Sequence, residues 1–164
     1  MEVRRICQQD LDAFYALFGE VNAEGKYSAR ATPPPKDAVR HALKTAEENN
    51  WPIYVAEEGN NVIASAEAYP ESFCREGGDA QVAILGMQVK QDYRRRGYGE
   101  ALLSAVIRHC KNLDFTSIDL SVLKSNEAAR NLYKKAGFAW VEDLPVCTRP
   151  DGREDQPEKM RLVL

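Results

Sequence analysis

Met87-Gln88-Val89-Lys90-Gln91-Asp92-Tyr93-Arg94-Arg95-Arg96-Gly97-Tyr98-Gly99-Glu100-Ala101-Leu102-Leu103 carries the reading of this chain. An apolar run closes at Val89, a short basic loop follows, and two glycines stand at 97 and 99. After Gly99 the spacing of Leu102, Leu103, Val106, Ile107 and Cys110 predicts a helix. Glycine permits positive φ and has no side chain, so successive backbone N–H groups can converge on an anion. The helix adds its N-terminal partial positive charge at the same point. Arg94, Arg95 and Arg96 can add charge-assisted hydrogen bonds to phosphate. Together these features make a seat for a diphosphate. The competing reading is a loop whose glycines serve only turn geometry and whose arginines are solvated. A dinucleotide fold fits less well. Asp119 stands near the spacing of a ribose-binding acid, but no third glycine follows and the loop is too long for a tight first turn. A Walker loop fails for lack of Gly-Lys-Ser/Thr.

Working outward, Val3 to Ile6 forms a short strand, and Asp10 offers an N-cap to a helix that runs to Gly19. Residues 19–35, with Gly25 and the run Pro33-Pro34-Pro35, read as a loop. A second helix spans Asp37 to Glu48 with Val39, Ala42, Leu43 and Ala46 inward. Ile53–Glu57 and Val62–Tyr69 are strands joined by the hairpin turn Glu58-Gly59-Asn60-Asn61. Pro70–Asp79 reads as a polar loop. Ala80–Val89 is a strand that Gly86 interrupts with a bulge or bend. Ser117–Leu123 is a strand, Asn126–Lys135 a helix, and Phe138–Val141 and Glu158–Leu164 are strands connected through 145–157. The order gives an α/β fold with a mixed sheet.

The chain has 164 residues, 44% of them hydrophobic, which fits one domain spanning 1–164 with a substantial core. With 22 basic and 25 acidic residues the formal charge is −3, which argues against nucleic acid as the main ligand. No apolar stretch approaches the roughly 20 residues of a membrane span, and no signal peptide is evident. Cys7, Cys74, Cys110 and Cys147 form no CxxC pair. They read as free thiols of a cytoplasmic protein and not as a disulfide or zinc framework. His41 and His109 lie far apart, at surface or helix-end positions, and predict no metal site.

A second motif narrows the choice. Asn126, Ala129, Leu132, Tyr133, Gly137 and Phe138 stand as Asn-x-x-Ala-x-x-Leu-Tyr-x-x-x-Gly-Phe. As structure alone, this is a helix capped by Asn126 and stopped at Gly137, with Asn126 and Tyr133 two turns apart on one side. Placed after the basic Gly-x-Gly loop, it closely resembles the GNAT superfamily of acyl-CoA-dependent N-acyltransferases between Met87 and Phe138. The resemblance implies a mixed, mostly antiparallel central sheet flanked by helices. It also implies that acetyl-CoA is the cosubstrate and that its diphosphate is held by Arg94, Arg95, Arg96, Gly97, Tyr98, Gly99 and Glu100. Met87, Gln88 and Val89 would lend backbone groups to the pantetheine arm, and Asn126 would stand near the cofactor. Tyr133 would protonate the departing thiolate, against the plain alternative of a core tyrosine. Family resemblance further suggests a homodimer.

One departure from the family pattern concerns the base. Many relatives carry a carboxylate on the fourth strand, yet Val82–Val89 contains no Asp or Glu. An alkylammonium acceptor, with a pKa of about 10.4, must lose a proton before it attacks. Glu67 on the preceding strand is the leading candidate, against a solvent-facing strand residue; Asp79, Glu20 and Glu24 are weaker ones. Glu20, Glu24, Glu67 and Glu71 would suit a cationic amine, whereas Lys26, Arg30 and Arg75 would suit an acidic or zwitterionic one. The expected activity is acetyl transfer from acetyl-CoA to an amine, a small molecule. The alternative is a non-catalytic CoA-binding or protein-interaction domain that kept the fold.

Overall fold

The computed structural model describes residues 1–27 and 32–164; Arg30 lies outside the described residues. The elements are β1 (Glu2–Arg5), α1 (Leu11–Ala23), α2 (Lys36–Glu48), β2 (Ile53–Glu58), β3 (Asn61–Pro70), α3 (Glu71–Cys74) and β4 (Val82–Val89). They continue with α4 (Tyr98–Lys111), β5 (Ser117–Leu123), α5 (Glu127–Lys135), β6 (Ala139–Asp143), β7 (Cys147–Thr148), β8 (Glu154–Asp155) and β9 (Pro157–Val163). Seven strands form one sheet in the order β1-β2-β3-β4-β5-β9-β6, and β7 and β8 form a separate ribbon. Every pairing in the large sheet is antiparallel except β4 with β5. This is the mixed, mostly antiparallel sheet flanked by helices that the resemblance implies.

Alternation along β3 divides the core in two. Ala64, Ala66 and Ala68 face one side, where Leu102, Leu103, Val106 and Cys110 of α4 pack with Ile118, Leu120 and Val122 of β5. Small residues on the strands let a helix bearing large ones approach closely. On the other side Phe14 of α1 packs with Val39, Leu43 and Ala46 of α2 and Ile53 of β2. The β2–β3 hairpin closes through Gly59 (φ 56°) and Asn60 (φ 65°), the pair of left-handed residues that a two-residue turn requires.

Several expectations need correction. The first helix does not stop at Gly19 but runs to Ala23, because Leu17 and Val21 extend its apolar stripe onto Val55 and Val62. Asp10 precedes that helix without capping it; its carboxylate turns back to the Cys7 amide (2.8 Å) and the Arg4 guanidinium. The predicted loop at 70–79 contains α3, and β4 begins at Val82. The connection 145–157 folds into the β7–β8 ribbon. Gly86 makes no bulge: the β3–β4 register runs unbroken from Ala64↔Val89 to Pro70↔Ala83. The reason for a glycine there lies in the site.

Candidate active site

The sheet opens where β4 leaves β5. Their parallel register covers only Val82↔Ser117, Ala83↔Ile118 and Ile84↔Asp119, whereas β4 continues to Val89. On its other side β4 stays paired to β3 throughout, and Lys90 N donates to Ile63 O. Backbone direction alternates along a strand, so Leu85, Met87 and Val89 turn their amides and carbonyls toward the gap. The Val89 carbonyl is taken by Arg94 Nε at 3.0 Å. Met87 keeps its backbone groups on the open edge, in the way that a strand adds an extended ligand.

Beyond Val89 the chain turns through Arg95 (φ 60°) and Gly97 (φ 88°) into α4. After Arg94 N, which donates to Gln91 O at 3.3 Å, the next amide with a backbone partner is Ala101 N, which donates to Gly97 O at 3.1 Å. Among the described residues, no acceptor takes the amides of Arg95, Arg96, Gly97, Tyr98, Gly99 or Glu100. Six consecutive free N–H groups at a helix N-terminus, with left-handed residues curving them, form an anion nest. This meets the chemical demand of a diphosphate.

The three arginines separate in role. Arg94 points back into the fold: its Nη2 donates to Glu24 at 2.8 Å, and its guanidinium lies 5.6 Å from the Tyr27 ring centroid. Arg95 and Arg96 have no carboxylate partner among the described residues, and Arg96 rests over Tyr93 at 5.3 Å. Tyr98 is buried, with its hydroxyl on Glu58 at 2.7 Å, and so anchors the start of α4. Glu100 lies near Lys135 of α5 at 3.3 Å. Gly99 is close to two other elements: a Cβ there would stand 3.1 Å from Leu132 and 3.7 Å from the Met87 sulfur. Asn126 accepts from Ala129 N at 3.2 Å and caps α5.

Glu67 is 5% exposed, which removes the solvent-facing reading. Among the described residues its Oε2 is buried without a hydrogen-bond partner, and Oε1 has only a long contact, 3.5 Å, from Gln88 Nε2. Burial pushes its carboxyl up to about 7, and the hydrogen bond from Gln88 only partly opposes that. A Cβ at Gly86 would sit 2.8 Å from Oε1, so the carboxyl lies across β4 over the one residue there without a side chain. A carboxyl carried by β3 thus lies over β4, which has none of its own.

Tyr133 is buried against Phe138, with ring centroids 5.8 Å apart. Its hydroxyl makes no hydrogen bond to a described residue. Burial, and then the nearby charge of Glu67, push its phenol above the ordinary value.

The other sequence candidates are committed elsewhere. Glu24 binds Arg94, Glu20 lies 3.1 Å from Lys90, and Asp79 caps the start of β4 through Gln81 N. Glu71 holds Arg75 and the Asp79 amide. Asp119 is no ribose ligand: it is buried under a bidentate pair with Arg161 at 2.7 and 2.9 Å. Sequence reasoning missed Gly86 as a site residue, although a glycine inside a strand beside a carboxylate-bearing strand was the signal. It also missed Ser65, whose Oγ donates to Gln88 Oε1 at 2.7 Å and orients the amide toward Glu67. Among the described residues, no group of three or more His, Cys, Asp or Glu could hold a metal, and no helix is long and apolar enough to cross a membrane.

Comparison with known proteins supplies the family. The chain is 30% identical over 139 residues (83% of this chain and 79% of that one) to a Bacillus subtilis protein provisionally named as the alanine N-acetyltransferase of ribosomal protein bS18. It is 34% identical over 86 residues to mycothiol acetyltransferase of Propionibacterium freudenreichii, a match covering 48% of this chain and 27% of that one. The chain spans 27% to 62% of the length of three of the curated relatives that it matches. Among solved structures, yncA from Salmonella typhimurium, determined with its cofactor acetyl-CoA, shares the fold. Its TM-score is 0.88 at 18% identity over 99% of this chain and 93% of that one. The model of the Acetyltransferase (GNAT) family matches residues 13–138, and the chain belongs to that family.

Proposed function

We propose that the chain transfers the acetyl group of acetyl-CoA directly to the nitrogen of a small-molecule amine. The observation that carries this reading is the buried Glu67 carboxyl, whose Oε2 has no partner among the described residues, lying over Gly86 where β4 has left β5. When bound, acetyl-CoA supplies an activated acyl group and a thiol leaving group. The amides of 95–100 hold its diphosphate, with Arg95 and Arg96 adding charge, and Met87 receives the pantetheine arm on the backbone edge. Gln88 and Val89 fix that edge, Arg94 holds the loop to α1, and Asn126 sets the start of α5 beside it.

Glu67 takes the amine proton on Oε2. A carboxylate ordinarily protonates far below neutrality and would be a feeble base; burial brings this one near the working pH. Tyr133 keeps its proton on Oη at neutral pH and holds it for the departing sulfur. Glu67 takes the first proton of the ammonium, and the second leaves the nitrogen as the C–S bond breaks and restores the Tyr133 phenol. Glu67 then passes its proton to solvent, the one proton that an ammonium and a thioester liberate overall. We also infer a cytoplasmic homodimer whose four cysteines stay reduced.

The test is amine-dependent thiol release from acetyl-CoA, screened over amines, amino acids, antibiotics and peptides. Release with at least one acceptor, lost in a Glu67→Gln/Tyr133→Phe double variant, is the expected result. Tight acetyl-CoA binding with no release for any acceptor would instead identify a non-catalytic CoA-binding domain.

A further inference from the structure

Away from the candidate active site, α4 presents a second face, Ala101, Ala105, Arg108 and His109, across an open surface cavity of about 550 Å³ toward Arg5 of β1 and Tyr54 of β2. That volume falls among small-molecule sites, about 300–1,000 Å³. Ala101 and Ala105 stand one turn apart on this face, and longer side chains there would project into the space.

Charge distinguishes this cavity from an accidental packing defect. Arg5 and Arg108 line it and no Asp or Glu does, in a chain of formal charge −3. Arg5 donates to Asn50 Oδ1 at 2.6 Å and to Trp51 O at 3.2 Å. Both acceptors are uncharged, so the guanidinium is positioned without being neutralised. Arg108 has no ion-pair partner among the described residues. Tyr54 Oη and His109 Nδ1 lie 3.0 Å apart and stiffen the wall between strand and helix. Burial, and then the Arg5 charge, lower the His109 pKa, the response expected in a positive local potential.

We propose that this cavity is a second small-molecule site for an organic anion, a carboxylate or phosphate monoester on a partly apolar body. Arg5 and Arg108 meet the charge, Asn50 adds a polar contact, and the Tyr54 ring with Ala101 and Ala105 receives the apolar part. A bidentate guanidinium suits either anion equally, so the test has an arm for each.

Benzoate and phenyl phosphate are titrated into the full chain by calorimetry, with and without saturating CoA. Saturable binding of at least one probe is expected, undisturbed by CoA and weakened at least tenfold in Arg108→Glu. Ala105→Leu, which fills the cavity without touching the charge, should weaken it similarly, and both variants should keep the native circular dichroism spectrum. Absence of saturable binding by both probes overturns the proposal. Displacement by CoA would place the anion in the loop at 95–100 and overturns it too. Binding that survives Ala105→Leu marks a surface contact with arginine, which likewise sinks it.

Discussion

At the scale of single residues, the proposed site rests on two groups whose hold on a proton burial strengthens. Burial keeps Tyr133 protonated. A thiolate, whose thiol has a pKa of about 8.5, is a weaker base than its phenolate, so the hydroxyl serves the departing sulfur as a hydrogen-bond donor and hands over its proton only as the nitrogen returns one. Tyr133→Phe should therefore lower kcat by about 10²–10⁴ while leaving the KM for acetyl-CoA nearly unchanged. Steady-state kinetics decide it, and an unaltered kcat would reduce the tyrosine to packing. Glu67 predicts a different signature. With its carboxyl up near 7, the basic form grows as pH rises through that value, so kcat/KM should climb to about pH 7 on this limb. In Glu67→Gln the limb should vanish and the remaining rate should rise only with deprotonation of the amine itself, so high pH rescues it in part. A wild-type profile in the variant would assign the proton to another route. Tyr133 was legible as a residue because a whole motif surrounds it. Glu67 was legible only as the nearest carboxylate, because burial depends on which strand covers which.

Among elements, the decisive fact is the register of β3 against β4. Glu67 faces Gly86, and the absent side chain gives the carboxyl its place over β4. Period-two reasoning on the sequence saw a glycine and expected a bulge, since glycine weakens a strand and often marks one. It could not see that the cross-strand neighbour needed the space. Gly86→Ala tests this role. Gly86 is not among the positive-φ residues, so alanine fits the backbone, and the clash at 2.8 Å falls on the movable end of a side chain. The fold should survive with a stability change of about 1 kcal/mol or less, whereas kcat should drop about tenfold to a hundredfold. Acetyl-CoA affinity, measured by calorimetry, should hold, because the diphosphate nest is on another element. A variant with normal kcat would show that the position of Glu67 over β4 is unimportant. The nest itself was the most legible element, as glycine spacing and the onset of helical periodicity are local signals. That Arg94 points inward to Glu24 was not legible, since the contact joins residues remote in sequence.

For the molecule as a whole, element order and the mixed sheet followed from hydrophobic periodicity. The strand order, with β9 inserted between β5 and β6, depends on long-range pairing that no local pattern encodes. The same long-range burial links the site to global stability. Glu67 ionises near 4.5 in an unfolded chain and near 7 in the fold. Between those values the folded protein binds the extra proton, so its stability falls as pH rises through this window. The full difference corresponds to about 3 kcal/mol, present as a penalty above pH 7 and absent below about pH 4.5. A glutamine at 67 keeps the shape of the neutral acid and cannot ionise. Urea unfolding should therefore find Glu67→Gln close to the parent at pH 4.5 and more stable by up to about 3 kcal/mol at pH 8. Gain at the alkaline end with loss of turnover is the pattern of a group kept for chemistry at the expense of the fold. A stability difference that stays constant across the two pH values would mean that the carboxyl is solvated in the folded state, and the pH limb assigned to it in catalysis would fall with it.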